Sequence, residues 1–130
     1  IFSLWYIVGT LVQYPHFISY ANEFVGPRDR RYEVFADSNL DWGQALPDLA
    51  RYVRMQKFGV VKLSYFGRDD ENEWRFEEIC AFQTQVFDPK LKRTATVISV
   101  SNWYYCGYNK DEKFGKEHIW DVVADSLLVF

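Results

Sequence analysis

The sequence predicts a small α/β domain, three-layer-like, built on a mainly parallel sheet and preceded by the end of a transmembrane or amphipathic helix. Three observations carry that prediction. Two runs rich in β-branched residues, at 60–66 and 94–100, read as strands. Apolar residues at Leu46, Leu49, Ala50 and Val53 recur with the spacing of a helix face. The chain opens on an almost wholly apolar run at 1–12.

The elements follow in chain order. A membrane span needs about 20 apolar residues, so the 1–12 stretch is either the tail of a longer transmembrane helix or a core helix of a soluble domain. The absence of an initiator methionine favours a piece of a longer protein, and no basic region or small-residue cleavage site marks a signal peptide. Trp5, Tyr14 and Tyr20 sit where an interfacial aromatic belt would lie. Gly26 and Pro27 punctuate the chain, so residues 1–25 form the leading, membrane-surface segment and 26–130 the domain proper. Arg28, Arg30 and Arg31 alternate with acidic neighbours and read as a solvated loop.

Residues 32–36 are expected as a first strand and 45–57 as a helix that Gly59 ends. Residues 60–66 give the second strand, 70–82 a helix anchored by Trp74, Ile79 and Phe82, and 94–100 the third strand. A turn or short helix at 119–124 then leads into a last strand at 126–130. Alternation of strands and helices implies parallel pairing with right-handed crossovers.

Composition excludes some functions. At 130 residues there is room for one domain with a real core. A net charge of −3 gives no electrostatic footprint for nucleic acid. The aromatic fraction, 19%, is high and suits a chain working near lipid or sugar. Two cysteines, Cys80 and Cys106, lack zinc-type spacing, so no metal is expected, and with no phosphate loop or Gly-x-Gly-x-x-Gly motif no cofactor is expected either. They can pair outside the cytosol; inside it they would be small buried side chains.

In an open parallel sheet, ligands bind beyond the carboxyl ends of the strands. The first expected strand ends in the segment DSNLDWGQ at 37–44, which offers Asp37, Ser38, Asn39, Asp41, Trp42 and Gln44. The second ends in Ser64 and Tyr65, followed by Gly67; the third ends in Ser99, Ser101 and Asn102. On a shared rim these make a cleft of hydroxyls, amides and carboxylates, with Trp42 and Trp103 as flat walls, which suits a polyol or sugar. The same 37–44 residues also read as a helix cap, Asp41 and Gln44 forming an approximate capping box. His16 and His118 have no serine or cysteine partner in an evident motif, and the Asp37/Asp41 spacing fixes no acid–base separation. No residue is therefore assigned a catalytic role.

The segments YPHFISYANE at 14–23, ADSNLDWGQ at 36–44 and LSYFG at 63–67, in this order and spacing, resemble the C-terminal region of polytopic bacterial glycosyltransferases. The class they resemble is that of the dolichyl-phosphate-mannose protein mannosyltransferases. VISVSN at 97–102 and SLLVF at 126–130 look like the same tail, while Ala21 and Ala45 stand where the family tends to have an aromatic and an acidic residue. The resemblance implies an accessory domain of a cell-membrane enzyme that moves a sugar from a polyprenyl-phosphate carrier to an acceptor. Its soluble part would be extracytoplasmic, its immediate partner the rest of the same membrane protein, and its catalytic aspartate would lie outside this chain. The alternative from another class is a free-standing α/β module binding a small polar or sugar ligand at the strand ends.

Overall fold

The computed structural model describes residues 2–12, 14, 27–34, 43–67 and 78–130. Helix α1 covers Phe2–Val12, α2 Leu46–Met55 and α3 Val100–Tyr105. The strands are β1 Val60–Ser64, β2 Gln83–Val86, β3 Thr94–Ser99, β4 Asp121–Val123 and β5 Leu127–Val129. Short 3-10 turns occupy Arg28–Glu33, Tyr108–Lys110, Glu112–Phe114 and Lys116–His118.

The expectation of a mainly parallel sheet is overturned. The five strands lie in the order β2-β1-β3-β5-β4, and among their pairings β1 with β3 is parallel while the others are antiparallel. Two features of the sequence hid this. The segment QTQV of β2 has no apolar alternation, and it follows directly on a stretch with helical character at 70–82, most of which falls outside the described residues. The stretch at 119–124 is a strand and turn rather than a short helix, because β4 and β5 form a hairpin. Its turn places Ala124 at φ 52° and Asp125 at φ 60°, and the Ser126 amide donates to the Val123 carbonyl at 3.2 Å. Two successive left-handed residues make the mirror-image turn that fits strand twist, for which Asn-Gly is the usual sequence signal. Ala-Asp does not announce it.

The strand expected at 32–36 is also corrected where it is described, since Tyr32 and Glu33 belong to the 3-10 turn that Pro27 opens. Pro27 fixes its own φ near the helical value, and Tyr32 then drops into the core against Trp103, ring edge to ring face at 6.0 Å. The Arg31 guanidinium lies 3.6 Å from the Asp125 carboxylate with both side chains largely buried, which ties this segment to the hairpin turn.

Helix α1 is apolar apart from one side, which carries Ser3 and Thr10. Leu4, Tyr6, Ile7, Val8, Leu11 and Val12 are each at least half exposed, and Thr10 returns its hydroxyl to the Tyr6 carbonyl. It runs for 11 residues, and no helix among the described residues is long and apolar enough to cross a membrane. The transmembrane part of the expected fold is thereby corrected.

Helix α2 buries the four residues that its spacing singled out, Leu46, Leu49, Ala50 and Val53. They meet Val61, Leu63, Tyr65, Val97, Leu127 and Val129 on one face of the sheet. Fully burying each aliphatic side chain of this kind stabilises by roughly 1.5–3 kcal/mol. The opposite face carries Ile98, Leu128 and Val100 under Trp103 and Tyr32, with Phe82, Tyr108, Phe114 and Phe130 around them. The alternation of Val97 and Ile98, or Leu127 and Leu128, between the two faces is the two-residue period of a strand.

The end of α2 differs from the sequence reading. Lys57, at φ 57°, is the left-handed residue, the Phe58 amide reaches back to the Val53 carbonyl, and the Lys57 amide reaches the Arg54 carbonyl. That pair of bonds is a Schellman ending, in which glycine is the common choice at the position Lys57 holds. Gly59 serves a different purpose. A Cβ there would lie 2.0 Å from the Leu91 carbonyl oxygen and 2.7 Å from that of Asp88, so the 88–91 turn closes against bare backbone.

Candidate functional site

Because β1 and β3 run parallel with Ser64 beside Ile98, their carboxyl ends bring Ser64 and Ser99 together. Ser99 caps α3, its hydroxyl accepting from the Asn102 amide at 3.3 Å and from the Phe66 amide at 3.1 Å. One turn into α3, the Asn102 side-chain amide donates to Ser64 Oγ at 3.0 Å and to the Ile79 carbonyl at 2.5 Å. The Asn102 carbonyl oxygen is buried without a hydrogen-bond partner. Ser64, Ser99 and Asn102 are all essentially inaccessible, as are Tyr65 and Ser101 nearby.

Six of the residues expected on the rim thus lie among the described ones: Gln44, Ser64, Tyr65, Ser99, Ser101 and Asn102. Ser64, Ser99 and Asn102 form one interior polar knot rather than lining an open cleft. Gln44 is half-buried at the start of α2. Asp37, Ser38, Asn39, Asp41 and Trp42 lie outside the described residues. Trp103, expected as a flat wall, is buried, with its indole N–H donating to the Phe114 carbonyl at 2.8 Å. The capping-box reading of Asp41 and Gln44 does not describe the helix start, since α2 begins at Leu46 with Ala45 at its N-cap and no side-chain capping bond.

The cover of the knot was invisible in the sequence. The segment 78–81 passes over Asn102 through the Ile79 carbonyl and is fastened by a disulfide between Cys80 and Cys106. Tyr108 adds a hydroxyl bond to the Cys80 carbonyl. The pairing itself was one of two outcomes the sequence allowed; that it would close a lid of backbone over the strand ends had no local signal. Gly67, at φ 152°, folds the chain back over the Tyr65 ring, where a Cβ would lie 2.6 Å from a ring carbon. This accounts physically for the glycine in the LSYFG segment.

The chemistry available to this end of the sheet is hydrogen bonding. Among the described residues no titratable side chain takes part in the bonds of Ser64, Ser99 and Asn102. Among the described residues no group of three or more His, Cys, Asp or Glu side chains is placed to hold a metal. His118 lies 3.8 Å from Glu117 on the exposed loop. A groove of about 490 Å³ opens beside Tyr104, walled by the charged 3-10 turns from Asn109 to Glu117. The Tyr104 hydroxyl donates to the Tyr32 carbonyl, and burial, followed by the nearby Glu33 carboxylate, raises its pKa above the ordinary tyrosine value. Comparison with protein-family models, with curated proteins and with solved structures returns no match, so the resemblance to membrane glycosyltransferases stands on the quoted segments alone.

Proposed function

We propose that the chain is an accessory domain of a membrane glycosyltransferase that draws sugar from a polyprenyl-phosphate carrier, with α1 held in the bilayer surface and the α/β body positioning an acceptor beside it. The observation that carries this reading is α1, on which Leu4, Tyr6, Ile7, Val8, Leu11 and Val12 each stand at least half exposed. A broad exposed apolar surface with Ser3 and Thr10 on the remaining side suits a helix lying at the lipid boundary, its apolar side chains in the acyl region and its hydroxyls toward the headgroups. At 11 residues it is about 16 Å long, enough to enter one leaflet. The Cys80–Cys106 disulfide supports an extracytoplasmic position, since such bridges persist in oxidising compartments.

Flotation tests the membrane part. The chain should rise with phosphatidylcholine–phosphatidylglycerol vesicles, and the triple variant Leu4→Ser, Ile7→Ser, Leu11→Ser should stay in the aqueous layer. A wild-type chain that stays below defeats the reading. For the transferase part, deleting residues 26–130 from the membrane enzyme should lower transfer to acceptor while leaving carrier-sugar binding intact.

A second reading, a module binding a small polar ligand at the strand ends, is favoured by the unpartnered Asn102 carbonyl oxygen, which a ligand hydroxyl would satisfy. It predicts that the Asn102 side-chain amide signals shift saturably on titration with millimolar glucose, at concentrations too low for general osmolyte stabilisation, and absence of such shifts defeats it.

A further inference from the structure

The topology gathers a second group of side chains at the opposite end of the sheet. Phe58 lies just before β1, Arg93 just before β3 and Trp120 just before β4, while β5, antiparallel to β3 and β4, ends at Val129 among them. The Trp120 amide donates to the Val129 carbonyl at 2.7 Å, which fixes the backbone under the indole. Phe58 is buried and meets the Trp120 ring edge to face at 5.9 Å. The Arg93 guanidinium lies over both rings, 4.5 Å from the centre of Phe58 and 5.2 Å from that of Trp120, and donates to the Gln56 carbonyl at 2.9 Å. Next to Trp120, one Asp121 carboxylate oxygen accepts from the Tyr52 hydroxyl at 2.9 Å and the other from the Val122 amide at 2.8 Å.

We propose that Trp120, Arg93 and Asp121 form a binding platform for a neutral saccharide. Trp120 keeps 52% of its surface exposed with Arg93 and Phe58 against it, an aromatic plate whose orientation is held by the edge-to-face contact with Phe58. A pyranose offers two kinds of surface, a C–H face that stacks on an aromatic ring and hydroxyls that both donate and accept. The platform meets both. Arg93 has N–H groups beyond the one bound to Gln56, and each Asp121 oxygen has a lone pair beyond the one engaged.

The pairing of one cation with one anion selects for neutrality. An anionic ligand approaching Arg93 meets Asp121, and a cationic ligand approaching Asp121 meets Arg93. Both charged groups are also held in place before any ligand arrives, Arg93 by two rings and a carbonyl, Asp121 by Tyr52 and its own turn, so little rotamer freedom is lost on binding. The platform is independent of the polar knot, which lies at the other end of the same strands.

The test uses the full chain, labelled with nitrogen-15, titrated to millimolar concentrations with maltotriose, mannotriose and chitotriose as separate probes. Five tryptophans give five indole N–H signals, and Trp120→Phe assigns the one that matters. At least one probe should shift the Trp120 signal saturably. Trp120→Ala should weaken binding about tenfold, the loss of one stacked ring. Asp121→Asn and Arg93→Met should each weaken it as well, while Trp5→Ala should leave it unchanged. Absence of saturable shifts with all three probes overturns the proposal, and so does affinity that survives Trp120→Ala. Should Trp120→Ala fail to fold, Asp121→Asn and Arg93→Met at exposed positions decide, undiminished affinity in both being the refuting result. None of these readouts depends on vesicles, so failure here and failure of membrane association are separate outcomes.

Discussion

Replacing both Cys80 and Cys106 by alanine removes a cross-link between residues 26 apart in sequence. In the chain-entropy description, closing a loop of that length restricts the denatured chain enough to stabilise the fold by about 3.5 kcal/mol at 25 °C. For a domain of this size the same quantity corresponds to a fall in melting temperature of about 13 °C. Reversible urea unfolding followed by circular dichroism, on oxidised wild type and on the double variant at equal protein concentration, measures it directly. The loss should have a local signature too. With the bridge gone, segment 78–81 keeps the Asn102–Ile79 bond to α3 and the Tyr108–Cys80 bond to the 3-10 turn that follows it. Amides there should exchange faster than those of β1 and β3 well before global unfolding. A loss below about 1 kcal/mol would refute the reasoning, because it would mean that the denatured chain already keeps the two cysteines close and the bridge restricts little.

Asn102→Ala should cost about 3 kcal/mol in the same assay, since it leaves the buried Ser64 hydroxyl and the Ile79 carbonyl without their donor; a variant as stable as wild type would show that the knot holds nothing in place. Gly59→Ala should cost about 3 kcal/mol or fail to fold, because the new methyl meets backbone carbonyls that cannot rotate away. Lys57→Gly should raise stability by about 0.5–1 kcal/mol by relieving a left-handed residue at the end of α2, and a destabilised variant would contradict the Schellman assignment. Burial first, and then the hydrogen bond and charge of Asp121, raise the pKa of Tyr52 above the usual tyrosine value. The folded state therefore holds that proton more tightly than the unfolded one. Its contribution to stability is complete below pH about 10 and is lost as pH rises through the folded pKa. Tyr52→Phe should flatten that alkaline loss and remove part of the late-ionising absorbance in a spectrophotometric titration. An unchanged pH profile would argue against it.

What the sequence made legible follows from where the signal is local. The four apolar positions of α2 and the β-branched runs of β1 and β3 report burial directly through their period, and the structure places them in the core. The partners of those strands were not legible. β2 is a polar edge strand, and β4 and β5 are three residues each, too short for periodicity to register. Their pairing directions are set by connections rather than by composition. At the site, the expectation that Ser64, Ser99 and Asn102 would converge rested on the parallel register of β1 and β3, and that pairing is present. Their inward direction depends on a cover fixed through Cys80 and Cys106, a contact made across the chain. The platform at Trp120 was equally silent, because Phe58, Arg93 and Trp120 each precede a different strand and share no motif.

The contact between Arg31 and Asp125 ties an early stretch of the chain to a late one. Asp125 reaches Arg31 from a turn whose two central residues are left-handed, so the pair stands only while the β4–β5 hairpin keeps that turn closed. Tyr32 likewise docks on Trp103, in the helix that follows β3. Both anchors join residues far apart in sequence, and contacts of that kind carry a loop-closure cost and make a chain slow to fold.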